Sequence, residues 1–562
     1  MLSQLSRFQA LTLNELFWTL LRNQEVDTIF SFPSQTSLTL FEKQSSIGIH
    51  SIFLKHEQAT VHAADGYARA SGKVGVSIVS KGPGVSNAVT SLATTYIDSI
   101  PLVLFVLSDS GNRRVSEIVD VAILTMSVSK HNFHISSPAE MELKIAEAFH
   151  IAQNDRPGPV VVEISADVMN SNHYQQETLS QALPLKRQAQ RKPKVKHHLI
   201  KKVVTEILQA KRPILFIGGG VILSSAANEI IKLATTLKLP VVSSLMGLGA
   251  FPTTHPLFLG MLGMLGTFAS NKAVHRADLL ICLGVRFSDR VTGNVRGFSP
   301  HSKKIQIDID PAEINKNIKI DSPIIGDIKE VVLQMLPLIQ NRECNEWTNE
   351  VSNWKKEVPQ FKTTESLLKP QEVIALLDKY SQSKAIITTD VGQHQIWTAH
   401  HYSFQFERQL LTSGGLGTMG FGLPASIGAA VAKPAQPIIC VSGDGSIQMN
   451  IQELSTIVNY QLPIKIAILK NGFLGMVRQW QELFYQSRYS SVKISSPHFV
   501  TLAKAYGATG LFAKDKKEAE LVIQEAMAIK GPVIMEFDVT EEENVYPMVP
   551  PGSNNINTII KK

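Results

Sequence analysis

Cysteine is nearly absent from this chain: Cys282, Cys344 and Cys440 are the three in 562 residues, and they lie far apart. Without a CxxC pair, neither a disulfide framework nor a zinc ribbon is expected, and a reducing compartment is. Long hydrophobic runs are also lacking. The longest, such as 102–107, are too short for the roughly 18 residues a membrane span needs. No basic stretch followed by an apolar one opens the sequence, so no secretory leader is expected and the cytoplasm is the default. Charge of one sign is scarce too. Lys and Arg number 55 against 48 Asp and Glu, a net +7 over the whole length. That weak excess suits anionic small ligands and does not call for nucleic acid. Charged residues make up 18% and hydrophobic ones 44%, which argues against wholesale disorder, collagen and coiled coil.

What is present is a repeating pattern. Short, β-branched apolar runs occur at 76–79, 102–107, 160–164, 214–217, 279–283, 304–309, 386–389, 438–441, 464–469 and 533–537. Each predicts a strand buried on both faces. Helical patterns lie between them, for example at 56–70 and 450–460. The alternation predicts α/β architecture with doubly wound parallel sheets. Two polar stretches, 175–198 and 341–370, read as linkers. The first carries Lys186, Arg187, Arg191, Lys192, Lys194 and Lys196. A nucleic-acid or regulatory patch would look similar, but a solvated linker is the simpler reading. The cuts leave three α/β domains, 1–185, 195–340 and 368–562, each of ordinary domain size.

The strongest chemical signal lies in the third block. The run at 438–441 leads into Ser442-Gly443-Asp444-Gly445-Ser446, and the run at 464–469 leads into Lys470-Asn471. Twenty-four residues, 446–469, separate Gly445 from Lys470. Glycines at a strand end let backbone N–H groups approach phosphate oxygens. Asp444 offers a carboxylate oxygen to Mg²⁺, and Asn471 a neutral amide oxygen. Mg²⁺ takes six oxygens, shared between a few protein ligands and a ligand's phosphates. Gly-Asp-Gly alone also describes a tight turn. The ordered series of strand, Gly-Asp-Gly, helix, strand and Asn favours a metal–diphosphate site.

This spacing resembles the thiamine-diphosphate motif, with Lys470 where that family usually has a first Asn. The resemblance implies Mg²⁺ held by Asp444, Asn471 and the carbonyl of Phe473, and a diphosphate against Gly443, Gly445 and Ser446. Longer strings narrow the match. Thr412-Ser413-Gly414-Gly415-Leu416-Gly417-Thr418-Met419-Gly420-Phe421-Gly422, Gly392-Gln393-His394-Gln395, Gly475-Met476-Val477-Arg478-Gln479-Trp480 and Glu543-Asn544-Val545-Tyr546-Pro547 resemble the acetohydroxyacid synthase (acetolactate synthase) family. The resemblance covers nearly the whole chain. It implies a pyrimidine-binding domain, a central FAD-binding domain and a diphosphate- and Mg²⁺-binding domain, in that order. It further implies thiamine-diphosphate contacts at Gly392, Gln393, His394, Gly417 and Met419. Met419 would hold the cofactor bent, a role compatible with plain core packing.

In Lys55-His56-Glu57-Gln58-Ala59, Glu57 taken alone is one more surface carboxylate. Under the resemblance it is catalytic. Thiamine diphosphate must lose its C2 proton, and a carboxyl hydrogen-bonded to the aminopyrimidine ring drives that loss. The cofactor then serves as electron sink for decarboxylation. In the family this glutamate and the metal site come from different subunits, which implies a homodimer or homotetramer. Ser80-Lys81-Gly82-Pro83-Gly84-Val85-Ser86-Asn87 resembles the family's glycine-rich loop at the cofactor cleft; in isolation it would be a turn.

The middle block carries Gly218, Gly219 and Gly220 after a strand, where glycine permits either a tight turn or close approach of a diphosphate. By resemblance, FAD contacts fall at Gly218, Gly219, Ser244, Leu245 and Met246. They continue at Gly263, Met264, Gly284, Arg286 and Ser288, and end at Asp308, Ile309 and Asp327. Arg156 matches a further flavin contact. The reaction has no net redox change, so FAD would be structural. Arg290 resembles the arginine that receives the second 2-oxo acid, since a guanidinium pairs with a carboxylate bidentately; an interdomain salt bridge is its other reading. Met476 and Trp480 match residues that shape the acceptor pocket; from composition alone both would be core.

The implied activity joins a two-carbon unit from pyruvate to a second pyruvate or to 2-oxobutyrate, in branched-chain amino-acid synthesis. A regulatory small subunit is an implied partner; nucleic acid and membrane are not. Some positions depart from the family. Phe32-Pro33-Ser34-Gln35 stands where relatives have Tyr-Pro-Gly-Gly. The stretch 108–117 is shorter and altered, Ala166 replaces a Lys, and Leu265 replaces a His. These departures keep two alternatives open: a thiamine-diphosphate decarboxylase or carboligase for another 2-oxo acid, and a non-catalytic cofactor-binding homologue.

Overall fold

Strand-forming segments recur with helices between them, and they assemble into three six-stranded sheets, each wholly parallel. The structure, a computed structural model, describes residues 12–34, 37–41, 44, 47–108, 119–170, 195–341, 346–357 and 367–560. Contacts divide the chain into two compact units. The first is Met1–Arg191 with Gly415–Ala432 and Asn450–Tyr460, and the second is Lys192–Gly414 with Lys433–Met449 and Gln461–Lys562.

The first unit holds β1 (Thr28–Ser31), β2 (His50–Phe53), β3 (Gly75–Ser80), β4 (Leu102–Leu107), β5 (His131–Ile135) and β6 (Pro159–Ile164), in the order β2-β1-β3-β4-β6-β5. All six residues of β4 are buried, as its unbroken apolar run requires. The second unit holds two sheets. One is built from β7 (Pro213–Ile217), β8 (Val241–Ser243), β9 (Phe258–Met261), β10 (Leu279–Leu283), β11 (Lys303–Asp308) and β12 (Ser322–Ile325), in the order β12-β11-β10-β7-β8-β9. The other is built from β13 (Ile386–Thr389), β14 (Leu410–Thr412), β15 (Ile438–Gly443), β16 (Ile464–Lys470), β17 (Thr509–Ala513) and β18 (Val533–Asp538). Its order, β14-β13-β15-β16-β18-β17, repeats that of the first sheet.

Two expectations need correction. The helix expected at 450–460 is shorter: a 3₁₀ turn Ile451–Glu453 precedes the helix Leu454–Asn459. The stretch 341–370 is not all linker. Its helix Glu346–Trp354 buries Trp347 and Trp354, which meet edge to face at 5.6 Å, and Trp347 Nε1 donates to the Pro213 carbonyl at 3.2 Å. Of the basic stretch, residues 175–194 lie outside the described residues, and a helix begins at His197. Cys282 and Cys440 are buried free thiols, while Cys344 lies outside the described residues. Among the described residues, no helix is long and apolar enough to cross a membrane.

Candidate active site

In a doubly wound sheet, ligands bind at the carboxyl ends of the strands where the strand order reverses. In the third sheet that point lies between β13 and β15, neighbours whose successors run to opposite edges. Beyond β13 come Asp390-Val391-Gly392 and the helix Gln393–His401; beyond β15 comes Asp444. The two strand ends meet. A Cβ on Gly443 would fall 3.0 Å from His394 Nδ1, so any larger residue there would press on the imidazole. Ser442 Oγ donates to buried Asp390 at 2.8 Å and lies 3.0 Å from Ser446 Oγ. Burial pushes the His394 imidazole down to about 3, so it stays neutral at physiological pH. His394 Nε2 and Gln393 Oε1 are buried with no hydrogen-bond partner. Buried polar atoms are rarely left unpaired, so both fit a ligand bound at this point.

Asp444 is 1% exposed. Its Oδ2 accepts from the Gly472 amide at 3.0 Å and from Ser496 Oγ at 2.9 Å. Burial raises its carboxyl above the usual range, and the hydrogen bonds from Ser496 and Gly472 oppose the rise. The register Gly443↔Leu469 sets Asp444 beside Lys470-Asn471. Asn471 Oδ1 accepts from the Phe473 amide at 3.1 Å. The turn 472–474 is tied to 492–494 through Leu474 N to Val492 O, 2.8 Å, and Ile494 N to Gly472 O, 2.9 Å. Asp444, Asn471 and Phe473 thus share one loop cluster. It supplies a carboxylate, an amide oxygen and a main-chain carbonyl, a donor set that fits a hard cation such as Mg²⁺. Among the described residues, no group of three His, Cys, Asp or Glu side chains could hold a metal. Lys470 turns to Glu536, a fully buried acid 2.7 Å away that also accepts the Phe499 amide at 2.8 Å.

Met476 and Trp480 lie on the helix Gly475–Phe484 and line a cleft of about 630 Å³ with Val477, Gln481, Tyr485 and Arg488. Two buried residues fix this helix. Gln479 accepts from Val545 N at 2.9 Å and from Gln393 Nε2 at 2.9 Å. Arg478 donates to Asn544 Oδ1 at 2.6 Å and to Glu482 at 2.8 Å. Arg290 is exposed on the short helix Asp289–Thr292 and is not part of the cleft lining. Its carbonyl accepts from the Met264 amide at 2.7 Å.

The central sheet reverses between β7 and β10. Gly218 and Gly219 follow β7, Ser244 to Met246 follow β8, and Gly263 and Met264 follow β9. Gly284, Arg286 and Ser288 follow β10, Asp308 and Ile309 stand at the end of β11, and Asp327 follows β12. The expected flavin residues of this domain are therefore gathered at one edge. A Cβ on Gly218 would fall 2.2 Å from the Gly284 carbonyl, so these glycines first serve close packing of two strand ends. Buried Ser243 Oγ, without a partner at the end of β8, fits a ligand at that edge. Asp327 caps the next helix through the Glu330 amide at 3.1 Å, and Asp308 accepts from the Asp310 amide at 3.0 Å. At the substituted His position, the Leu265 carbonyl lies 2.8 Å from His400 Nε2.

In the first unit, Glu57 opens the helix Glu57–Ser71 and is 8% exposed. Its Oε2 accepts from Asn87 Nδ2 at 3.0 Å, which joins it to the helix Pro83–Ile97; the stretch 80–87, expected as a loop, is helical from Pro83. Met419 and Gly417 lie on a segment this unit grips. The Gly415 amide donates to Asp98 at 2.9 Å, Thr418 Oγ1 lies 2.6 Å from Thr94 Oγ1, and Asn450 donates to the Gly420 carbonyl at 2.7 Å. Arg69 in turn pairs with Asp98 at 2.9 Å and with Asp65. The helix Gly422–Ala432 crosses Glu57–Ser71 so closely that a Cβ on Gly428 would fall 1.9 Å from the Ala63 carbonyl. Arg156 donates from Nε to Ser99 Oγ at 2.8 Å. The altered residues Gln35 and 109–118 lie outside the described residues, as does the side chain of Ala166.

Sequence reasoning assigned no role to Asn87, Asp98, Gln479 or Ser496. Asn87 and Gln479 did fall inside the quoted strings, so the signal was their neighbourhood. Asp98 and Ser496 carried none.

The comparisons with known proteins agree with this architecture. Family models for the thiamine pyrophosphate enzyme match in chain order: the N-terminal TPP binding domain over residues 11–124, the central domain over 200–336 and the C-terminal TPP binding domain over 390–537. The class is therefore the three-domain thiamine pyrophosphate enzymes. The chain is 41% identical over 557 residues to the acetolactate synthase large subunit of Haemophilus influenzae, covering 96% of this chain and 97% of that one. It is 40% identical over 548 residues to the acetolactate synthase isozyme 3 large subunit of Escherichia coli, covering 94% of each. It is 40% identical over 557 residues to the acetolactate synthase large subunit of Cyanidium caldarium, covering 95% and 94%. The chain belongs to the acetolactate synthase large-subunit family.

Proposed function

We propose that this chain is the catalytic subunit of an acetolactate synthase. It would release CO₂ from pyruvate and join the remaining two-carbon unit to a second pyruvate, giving 2-acetolactate, or to 2-oxobutyrate, giving 2-aceto-2-hydroxybutyrate. The observation that carries the reading is the juxtaposition of an oxygen-donor loop cluster (Asp444, Asn471, Phe473) with the partnerless buried atoms His394 Nε2 and Gln393 Oε1 at one sheet switch point. Thiamine diphosphate, when bound, supplies the electron sink that makes loss of CO₂ from a 2-oxo acid feasible.

The chain's own residues have distinct tasks. Asp444, Asn471 and the Phe473 carbonyl hold Mg²⁺, and Gly443, Gly445 and Ser446 give the diphosphate room. Glu57, with Oε2 fixed by Asn87, holds and passes a proton at Oε1. Met419 would contact thiamine diphosphate. Met476 and Trp480 give the acceptor an apolar wall, and Arg290 receives its carboxylate. FAD occupies the carboxyl edge of the central sheet as a structural cofactor.

We place the domain boundaries at 1–185, 195–340 and 368–562, and the protein in the cytoplasm. The working assembly is a homodimer or homotetramer in which Glu57 of one copy serves the metal end of another, with a regulatory small subunit as partner. The cofactor assignment is tested by calorimetric titration of thiamine diphosphate with and without Mg²⁺. Binding that needs Mg²⁺ in the parent and is lost in Asp444→Asn is expected; Mg²⁺-independent binding would overturn the metal assignment. Flavin absorbance of the purified protein tests FAD in the same way.

A further inference from the structure

Glu453 is fully buried and has no task in the account above. Its two carboxylate oxygens accept from the Lys55 amide at 3.0 and 3.2 Å, and Oε2 accepts from Thr456 Oγ1 at 2.7 Å. Lys55 stands two residues before Glu57, in the short turn joining β2 to the helix Glu57–Ser71. Seven residues past Glu453, the Tyr460 hydroxyl accepts from the Phe53 amide at 2.9 Å. Between these two amides, Leu54 N bonds to the Ser31 carbonyl at 3.0 Å. Three successive amides ahead of Glu57 are thus held, two of them by side chains from one stretch nearly 400 positions away. A carboxylate at this place also faces the N-terminus of a 15-residue helix, where the macrodipole favours negative charge.

We propose that Glu453 is a positioning residue for Glu57: its grip on the Lys55 amide fixes the turn that aims the Glu57 carboxyl. This rests on the reading of Glu57 as the proton-transfer residue. The grip depends on charge, because an ionised carboxylate accepts hydrogen bonds more strongly than its protonated form. Burial raises the Glu453 carboxyl to about 7, against the pull of Thr456 and of the Lys55 amide. The titratable residues that act on it are Lys55, through its amide and its charge, and His56, through its amide; the helix Gly422–Ala432 carries no titratable side chain. Because the net shift is upward, burial costs the ionised form more than these hydrogen bonds return, and the held turn loosens as pH rises through about 7.

The test is hydrogen–deuterium exchange of the full-length protein without cofactor, followed on peptides covering 50–60 at about pH 6 and about pH 8.5, each corrected for intrinsic exchange. Parent, Glu453→Gln and Glu453→Ala are compared, with pH profiles of turnover alongside. Parent protection should fall severalfold from the lower to the higher pH. Glu453→Gln, which keeps the shape, should give intermediate protection with little pH dependence and a turnover profile lacking the alkaline limb near neutrality. Glu453→Ala should lose the protection and roughly tenfold or more in kcat. Parent-like, pH-independent protection in Glu453→Gln, or full protection in a folded Glu453→Ala, would overturn the proposal while parent turnover persisted. A parent that binds thiamine diphosphate without turnover would overturn the functional reading itself, whatever the exchange result.

Discussion

Asn87 Nδ2 donates to Glu57 Oε2 at 3.0 Å, joining the start of the helix Glu57–Ser71 to the helix Pro83–Ile97, 30 positions further along. The pair ties the carboxyl proposed to move protons to a fixed neighbour. Glu57→Gln should retain thiamine-diphosphate binding in calorimetry and lose roughly 10²–10⁴ in turnover, the range removed with a general acid–base group. Asn87→Ala should lose roughly tenfold, chiefly in kcat, through misplacement. Near-parent turnover in Glu57→Gln would remove Glu57 from the chemistry.

The proposed assembly predicts complementation. Glu57→Gln and Asp444→Asn should each be inactive alone. Mixed and allowed to exchange subunits, they should recover about a quarter of parent activity, since about half of the pairs are mixed and each mixed pair carries one intact site of two. No recovery, with mass measurement confirming mixed oligomers, would mean both residues act within one copy.

Gly428 meets the Ala63 carbonyl with no room for a Cβ. Gly428→Ala must push apart two helices that both border residues of the site. We expect a loss of about 3 kcal/mol in urea unfolding, the upper part of the range for overpacking. A parent-like midpoint would show that the crossing is looser than described.

Glu453 also makes a stability prediction. Its native midpoint of about 7 lies above the ordinary 4.5. Between those values the folded state keeps a proton the unfolded chain has released. Its contribution is full below pH 4.5 and is lost as pH rises through about 7. The difference in midpoints corresponds to at most about 3 kcal/mol. Glu453→Gln does not titrate, so its stability relative to the parent should rise across that window in denaturation series at stepped pH. Parallel curves would contradict the prediction.

The centre of each sheet was legible in the sequence, and its edges were not. The third sheet's inner strands β13, β15, β16 and β18 were all predicted, because burial on both faces leaves unbroken apolar runs. Edge strands such as β2, β5 and β17 are partly exposed, and their mixed residues do not stand out. The inner strands β1 and β8 were missed because their apolar runs, Ile29-Phe30 and Val241-Val242, are only two residues long. At the site, Asp444, Asn471 and Glu57 came from motif spacing and resemblance. Glu453 could not, since its partner at Lys55 lies 398 positions away and only the fold unites them. The role given to Arg290 came from resemblance alone, and the residue stands exposed on the helix Asp289–Thr292.

The central claim is most directly tested by identifying the products formed by purified protein with thiamine diphosphate, Mg²⁺ and FAD from pyruvate, with and without 2-oxobutyrate. The account predicts 2-acetolactate from pyruvate alone and 2-aceto-2-hydroxybutyrate when 2-oxobutyrate is added. Acetaldehyde, or no product with cofactors bound, would contradict it, and the altered residues Ser34 and Gln35 would then mark a different substrate or a lost activity.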